Sequence, residues 1–276
     1  YLTVLETLQD FVPLVGQKIL QFYEHRDSIE VTKKSNATPL TEADVAAHNM
    51  IVAELKKITP DVPVLSEEGK DIPFSERKQW DYYWLVDPLD GTKEFLEGNG
   101  EFTVNIALIE KHESVAGIIY QPTTRDYFFA AKKQGAYWRS PEGNYVPLHA
   151  RIFNEANLAV LISRHHTPKW LTQQLESSNK PFHFHGLGSS LKFCRLASGL
   201  ADVYPRMGPT SEWDTAAGQC IVEEAGGAVL QISGEPLRYN TKDELENPSF
   251  LAVADKHADW SGWFAWLNER ATQQRG

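Results

Sequence analysis

Acidic side chains recur in four short segments: TEAD (Thr41 to Asp44), SEEG (Ser66 to Gly69), DPLDGT (Asp87 to Thr92) and WDTAAG (Trp213 to Gly218). Carboxylate oxygens are the ligands that hard divalent cations such as Mg²⁺ prefer. Two carboxylates do not readily share a small space without a counter-ion, so convergence of these segments would make a metal site. DPLDGT suits that chemistry in detail. Pro88 fixes φ and turns the chain, which aims the Leu89 carbonyl and the Asp90 carboxylate to the side of Asp87. Gly91 tolerates unusual backbone angles and lets a ligand approach the main chain. Thr92 is placed to cap a short helix starting at Lys93, leaving N–H groups directed at a phosphate.

Each segment also has a plainer reading. Asp-Pro and Asp-Gly are ordinary turn tokens, and SEEG reads as a charged loop after a strand. Thr41 with Asp44 three residues on is nearly a capping box, with Asp in place of Glu. Asp214 reads equally as a simple N-cap, and Ala216, Ala217 and Gly218 after it are small enough for something to pack closely. Singly, none of the four decides between a cation site and a set of turns.

The elements that must position these groups alternate along the chain. A helical region at about 2–24 leads to the polar segment TKKSNATPL, and a second helix follows Thr41, with Val45, Val52, Leu55 and Ile58 at helical spacing. VPVLSEE and YYWLVDPLD read as buried strands running into acidic loops. FTVNIALIE, VAGIIYQP and RDYFFAAK read as a three-strand meander. The turn-rich stretch SPEGNYVPLHA marks a boundary between residues 1–150 and 151–276. Beyond it LAVLIS and ADVYP read as strands, and PKWLTQQLESS, SSLKFCRLASG and WDTAAGQCIVEEAGG as helices, the last stopped by paired glycines. Mixed strands and helices imply α+β or layered α/β architecture. The stripe Tyr82, Tyr83, Trp84 reads as core and interface packing.

Composition narrows the function classes. With 27 basic and 37 acidic residues the 276-residue chain carries a net charge of −10, which argues against general nucleic-acid binding. An anionic substrate stays open, because a bound cation inverts the local field. Two cysteines, Cys194 and Cys220, offer no disulfide framework and suggest a reducing compartment. Neither an 18-residue apolar run nor a signal peptide is seen, so a cytoplasmic protein without integral membrane segment is expected. No GxxxxGK[ST], complete GxGxxG or GxSxG pattern occurs. His183 and His185 alternate on one strand face, but without clustered cysteines or a third ligand they read as an exposed or structural pair rather than a zinc site.

Together the acidic segments resemble the lithium-sensitive, Mg²⁺-dependent phosphatase superfamily that includes inositol monophosphatase and fructose-1,6-bisphosphatase. DGTKEF, GSSLKFC (Gly188 to Cys194) and YPR…TSEWDTAAG (Tyr204 to Gly218) are similar to its bacterial 3′(2′),5′-bisphosphate nucleotidase branch, across about residues 12 to 250. The resemblance implies an α-β-α-β-α sugar-phosphatase fold. It implies that Glu67, Asp87 and the Leu89 carbonyl hold one Mg²⁺, that Asp87, Asp90 and Asp214 hold a second about 4 Å away, and that Glu68 supports a weaker third. Asp44 and Thr92 fall on the family's water-activating pair, a role in competition with capping by Asp44. Gly91 and Thr92 N–H groups would bind the scissile phosphate; Lys192, Arg206, Ser189 and Ser190 would bind a second phosphate, with Lys93 lining the site.

The implied activity is hydrolysis of adenosine 3′,5′-bisphosphate to AMP and phosphate, extending to 3′-phosphoadenylyl sulfate, with a role in clearing by-products of sulfate assimilation and inhibition by Li⁺. The partner is then a small nucleotide bisphosphate. Loose association with a membrane, as in some relatives, stays open, as does the oligomeric state. Inositol monophosphate or a sugar bisphosphate is the alternative substrate within the superfamily. A non-catalytic sensor of phosphorylated nucleotides is the alternative from another class.

Overall fold

The structure, a computed structural model, describes residues 1–28, 32–33, 39–177 and 182–273. Helices α1 (Leu2–Leu8) and α2 (Val12–Tyr23) open the chain, and the short strands β1 (Thr32–Lys33) and β2 (Pro39–Leu40) pair before α3 (Glu42–Ile58). Then come β3 (Val64–Ser66), the single turn α4 (Phe74–Arg77), β4 (Tyr82–Asp90) and α5 (Thr92–Glu97). Five strands follow: β5 (Thr103–Glu110), β6 (Glu113–Gln121), β7 (Asp126–Ala131), β8 (Ala136–Arg139) and β9 (Tyr145–Pro147). The remainder is β10 (Leu158–Ser163), α6 (Lys169–Glu176), β11 (Phe182–Leu187), α7 (Leu191–Ala197), β12 (Val203–Arg206), α8 (Glu212–Glu224), β13 (Ala228–Gln231), β14 (Phe250–Val253) and α9 (Ser261–Gln273).

Strands β3 to β9 form a seven-stranded sheet in chain order, and β11-β10-β12-β14-β13 a mixed five-stranded one. Side chains alternate across a strand, so β4 sends Trp84 and Val86 to one face and Tyr83 and Leu85 to the other. The first face packs on Leu5, Val15 and Ile51 of α1 to α3. The second packs on α7 and α8, which also cover Tyr204, Phe250 and Ala252 of the second sheet. That sheet's far face, with Val160 and Leu251, packs on Leu171 and Leu267 of α6 and α9. Helix and sheet layers therefore alternate five deep, the α-β-α-β-α order expected.

Helix α8 is the central layer, and the sequence lets it come close to its neighbours. A Cβ on Gly117 of β6 would lie 2.6 Å from the Ala217 carbonyl oxygen, and one on Gly218 would lie 2.4 Å from the Phe193 ring. Ser114 Oγ donates to the Ala216 carbonyl at 2.7 Å. What packs against the small residues of WDTAAG is thus the protein's own β6 and α7.

Several expectations need adjustment. The helical region at 2–24 is two helices; Pro13 sits in the first turn of α2, where its missing N–H is tolerated. Helix α3 buries Ala43, Ala47, Ile51 and Leu55 while Val45 stays 43% exposed, because the alanines let α3 lie close to α2 and β4. Tyr82 is exposed and donates to Glu110, whereas Tyr83 and Trp84 enter opposite cores. The meander extends through β8 and β9. Residues 34–38 of the polar segment TKKSNATPL lie outside the described residues. Among the described residues no helix is long and apolar enough to cross a membrane.

Candidate active site

Asp87 and Asp90 are three apart on β4, a spacing that would put them on opposite faces of a regular strand. The ladder shows why it does not: Asp87 pairs with Asn105 and Asp90 with Thr103, three steps on β4 against two on β5. This bulge contains Pro88, which has no N–H to give to the ladder, and the extra residue returns Asp90 to the Asp87 side. The chain therefore continues as a bulged strand to Asp90 instead of turning at Pro88. Leu89 N–H donates to Asp87 Oδ1 at 3.1 Å. Gly91 then takes φ +92°, which L side chains rarely adopt, and caps α5 from the left-handed region.

Helix α5 begins at Thr92, not Lys93, so Thr92 is its first residue and does not cap it. Its hydroxyl is free to donate to Asp44 Oδ1 at 3.2 Å and, more weakly, toward the Leu89 carbonyl at 3.4 Å. Asp44 is buried at the third position of α3, where Oδ2 accepts from Thr41 N–H at 2.9 Å and Thr41 Oγ1 at 2.5 Å. The expected competition between capping and serving Thr92 is resolved by using one carboxylate oxygen for each.

Asp90 is held from behind. Ser190 N–H donates to its Oδ2 at 2.6 Å and Asn105 Nδ2 at 3.3 Å; Ser190 Oγ donates to Asn105 Oδ1 and meets Thr103 Oγ1, both at 2.8 Å. Ser190 thus spends its donors on protein, while Ser189 lines the cavity beside it at φ +45°. Sequence reasoning missed Asn105 and Thr103. The available signal was a polar pair inside the otherwise apolar FTVNIALI, both of them buried.

Asp214 reaches the same place from the central helix. Ser211 caps α8, so Asp214 is the third helical residue rather than the N-cap, and its Oδ2 accepts the Ser211 N–H at 2.9 Å. Ligand oxygens of Asp87, Asp90 and Asp214 all lie within 4.8 Å of one another. Glu67 joins the cavity wall, set by its N–H donating to Val86 O at 3.0 Å and by His48 Nδ1 bonding Ser66 Oγ at 2.8 Å. Half-buried Glu68, next in the chain, does not line the cavity.

Crowding leaves its mark on proton affinity. Burial, then Glu67, Asp90 and Asp214, pushes the Asp87 carboxyl well above the carboxylate range. Burial, then Asp90 and Glu67, lifts Asp214 to about 8. Burial lifts Asp90 to about 6 against the pull of Lys192. An all-oxygen donor set whose members repel one another fits a hard divalent cation. A carboxyl whose pKa is higher folded than unfolded stabilises the fold only while protonated. Metal-free protein should therefore lose stability as pH rises from about 4 through the values of about 6 and 8. We expect a lower Tm in EDTA at about pH 8.5 than at about pH 5.5, and a Mg²⁺-induced gain of about 5–10 °C confined to the higher pH. Equal Mg²⁺ effects at both pH values would contradict the crowding.

The cavity, about 440 Å³, is also lined by groups of opposite charge. Lys192 is 4% exposed, donates to the Leu187 and Ser189 carbonyls at 3.0 and 2.6 Å, and lies 5.2 Å from the Tyr204 ring centre. Burial lowers it to about 8 despite Asp90. Arg206 donates to Gly208 O at 3.2 Å and Pro209 O at 2.6 Å. His166, which sequence reasoning missed, also lines the cavity; desolvation, then Arg206 and Lys93, lowers it to about 4 and keeps it neutral. Its only sequence signal was RHHT directly after a strand. His183 and His185 are exposed, and among the described residues no metal-spaced cluster includes them.

The model of the inositol monophosphatase family matches residues 2–261, a span that holds the bulged strand with its two aspartates, the Thr–Asp pair and the third aspartate on the central helix; the chain belongs to that family. A 3′(2′),5′-bisphosphate nucleotidase CysQ of Salmonella typhimurium is 44% identical over 248 residues, 90% of this chain and 98% of the relative. The crystal structure of CysQ from Bacteroides thetaiotaomicron, described as a bacterial member of the inositol monophosphatase family, superposes with a TM-score of 0.75 at 40% identity, covering 89% of this chain and 95% of that one. A Thermotoga maritima IMPase superposes at 0.78 over 99% of this chain and 100% of its own; at 23% identity that likeness concerns the fold alone.

Proposed function

We propose that the protein hydrolyses adenosine 3′,5′-bisphosphate to 5′-AMP and phosphate with Mg²⁺, and removes the 3′-phosphate of 3′-phosphoadenylyl sulfate in the same way. The observation that carries this reading is one cavity lined by two chemically distinct sets of groups, carboxylates with a Thr–Asp pair and the cluster of Lys192, Arg206 and neutral His166. A substrate with two separated phosphates matches that division, and the nucleotidase relatives support it. The division into residues 1–150, with most of the acidic groups, and 151–276, with Asp214 and the cations, fits a site at their junction.

Glu67, Asp87 and the Leu89 carbonyl would hold one Mg²⁺ and Asp87, Asp90 and Asp214 another, with Glu68 supporting a third. When bound, such ions supply positive charge that acidifies a nearby water and offsets charge on the phosphoryl oxygens. The chain's own groups do the rest. Because the Thr92 hydroxyl gives its proton to Asp44, its lone pairs accept from the attacking water and orient it in line with the 3′ P–O bond. The water oxygen forms the new bond to phosphorus as the bond to the ribose 3′-oxygen breaks; one water proton stays on the phosphate and the other ends, by way of Thr92, Asp44 and solvent, on the leaving oxygen. Gly91 and Thr92 border the transferred phosphoryl group, and Asp90 stays fixed by Ser190 and Asn105. Ser189, Lys192, Arg206 and His166 receive the 5′-phosphate. We place the enzyme in the cytoplasm, recycling by-products of sulfate assimilation, with Li⁺ as an inhibitor.

Chromatography of the products tests the direction of the reaction: 5′-AMP should accumulate, and accumulation of 3′-AMP would overturn the reading. Lys192→Ala should raise KM for the bisphosphate about tenfold or more while changing KM for 3′-AMP far less, since an ion-paired hydrogen bond is lost only with the first. Equal changes for both would remove Lys192 from the 5′-phosphate contact.

A further inference from the structure

Glu101 ties together three chain segments beside the cationic residues of the cavity. It follows α5, and its Oε2 accepts the Gly188 N–H at 2.7 Å. The same carboxylate takes Arg164 through both oxygens, Nη2 to Oε1 at 2.7 Å and Nε to Oε2 at 3.2 Å. Arg164 lies on the segment after β10 that carries His166, and Gly188 on the segment after β11 that leads to Ser189 and Lys192. Neither Glu101 nor Arg164 lines the catalytic cavity.

We propose that Glu101 is a positioning residue that sets selectivity for bisphosphorylated over monophosphorylated nucleotides; this rests on the two-phosphate reading above. Lys192 Nζ is held by the carbonyls of Leu187 and Ser189, the two neighbours of Gly188, so pinning the Gly188 peptide pins the lysine's cradle. A Cβ on Gly188 would lie 2.8 Å from Glu94 Oε1, so this peptide has no room to shift toward α5. The fork of Arg164 on the carboxylate fixes orientation as well as distance, which sets the His166 segment relative to that cradle. An ion pair with carboxylate and guanidinium 20% and 41% exposed adds little stability, so its value lies in geometry. Displacement of a contact by about 1 Å weakens recognition strongly.

The test compares wild type, Glu101→Gln, Glu101→Ala, Arg164→Ala and the double variant Glu101→Ala with Arg164→Ala on adenosine 3′,5′-bisphosphate and on 3′-AMP, with Mg²⁺. Glu101→Ala should raise KM for the bisphosphate about tenfold, with kcat for it and KM for 3′-AMP held within about twofold. Glu101→Gln, which keeps an acceptor for Gly188, should fall between, and Arg164→Ala should add little in the Glu101→Ala background. Equal KM changes for the two substrates, a fall in kcat alone, or no change in Glu101→Gln and Arg164→Ala would overturn the role of Glu101. Wild type showing no preference for the bisphosphate would instead sink the two-phosphate reading itself. Should Glu101→Ala fail to fold, Glu101→Gln and Arg164→Ala decide the matter.

Discussion

Replacing Asp87 with Asn should lower the rate of phosphate release by about a thousandfold or more while leaving the fold intact. Asp87 is 2% exposed and feels the charges of Glu67, Asp90 and Asp214 together, and in the proposed assignment it is the carboxylate shared by two cations. Asparagine has nearly the same shape and keeps an oxygen for the Leu89 N–H. What it removes is one negative charge from a buried group already pushed well above the carboxylate range. The metal-free variant should therefore be at least as stable as wild type above about pH 7, yet gain less Tm on adding Mg²⁺. Loss of activity combined with unchanged or raised Tm separates a ligand from a structural residue. A rate within about tenfold of wild type would remove Asp87 from the centre of the mechanism.

The second large effect is expected from Thr92→Val, which deletes a hydroxyl and little volume. The Thr92 hydroxyl donates to Asp44 Oδ1, and a general-base relay of this kind contributes about 10²–10⁴-fold. Turnover should fall by that factor with KM nearly unchanged. Asp44→Asn should cost a similar amount, and the double variant no more than the worse single one, because residues that act as a unit are non-additive. Multiplicative losses would mean that the two side chains act separately.

The mixed strand-and-helix architecture was legible in local signals, in turn tokens, capping patterns and the alternation of strand and helix, whereas the five-layer order and the joint meaning of the acidic segments came from their resemblance to a phosphatase family. Several elements of the site were not legible. The bulge at Pro88 exists only in the pairing of β4 with β5, which no reading of DPLDGT alone provides. The division of labour between the two oxygens of Asp44 depends on where α5 starts, and Gly91 moves that start to Thr92. The small residues after Asp214 marked a close approach without naming the neighbour, which is Gly117 and Phe193, both far off in sequence. His166 and Glu101 belong to loops whose meaning comes from the second sheet and from Gly188, so RHHT and GEF carry no motif when read alone.

Phosphate release measured with Mg²⁺ against adenosine 3′,5′-bisphosphate, inositol 1-phosphate and fructose 1,6-bisphosphate tests the central claim most directly. The account predicts a kcat/KM for the adenosine bisphosphate at least about a hundredfold above inositol 1-phosphate, which lacks a second phosphate and forfeits about tenfold for each lost ion-paired contact, and also above fructose 1,6-bisphosphate, whose two phosphates sit on a different sugar frame without the adenine. Preference for the inositol or fructose phosphate, or no release from any of the three, would contradict it.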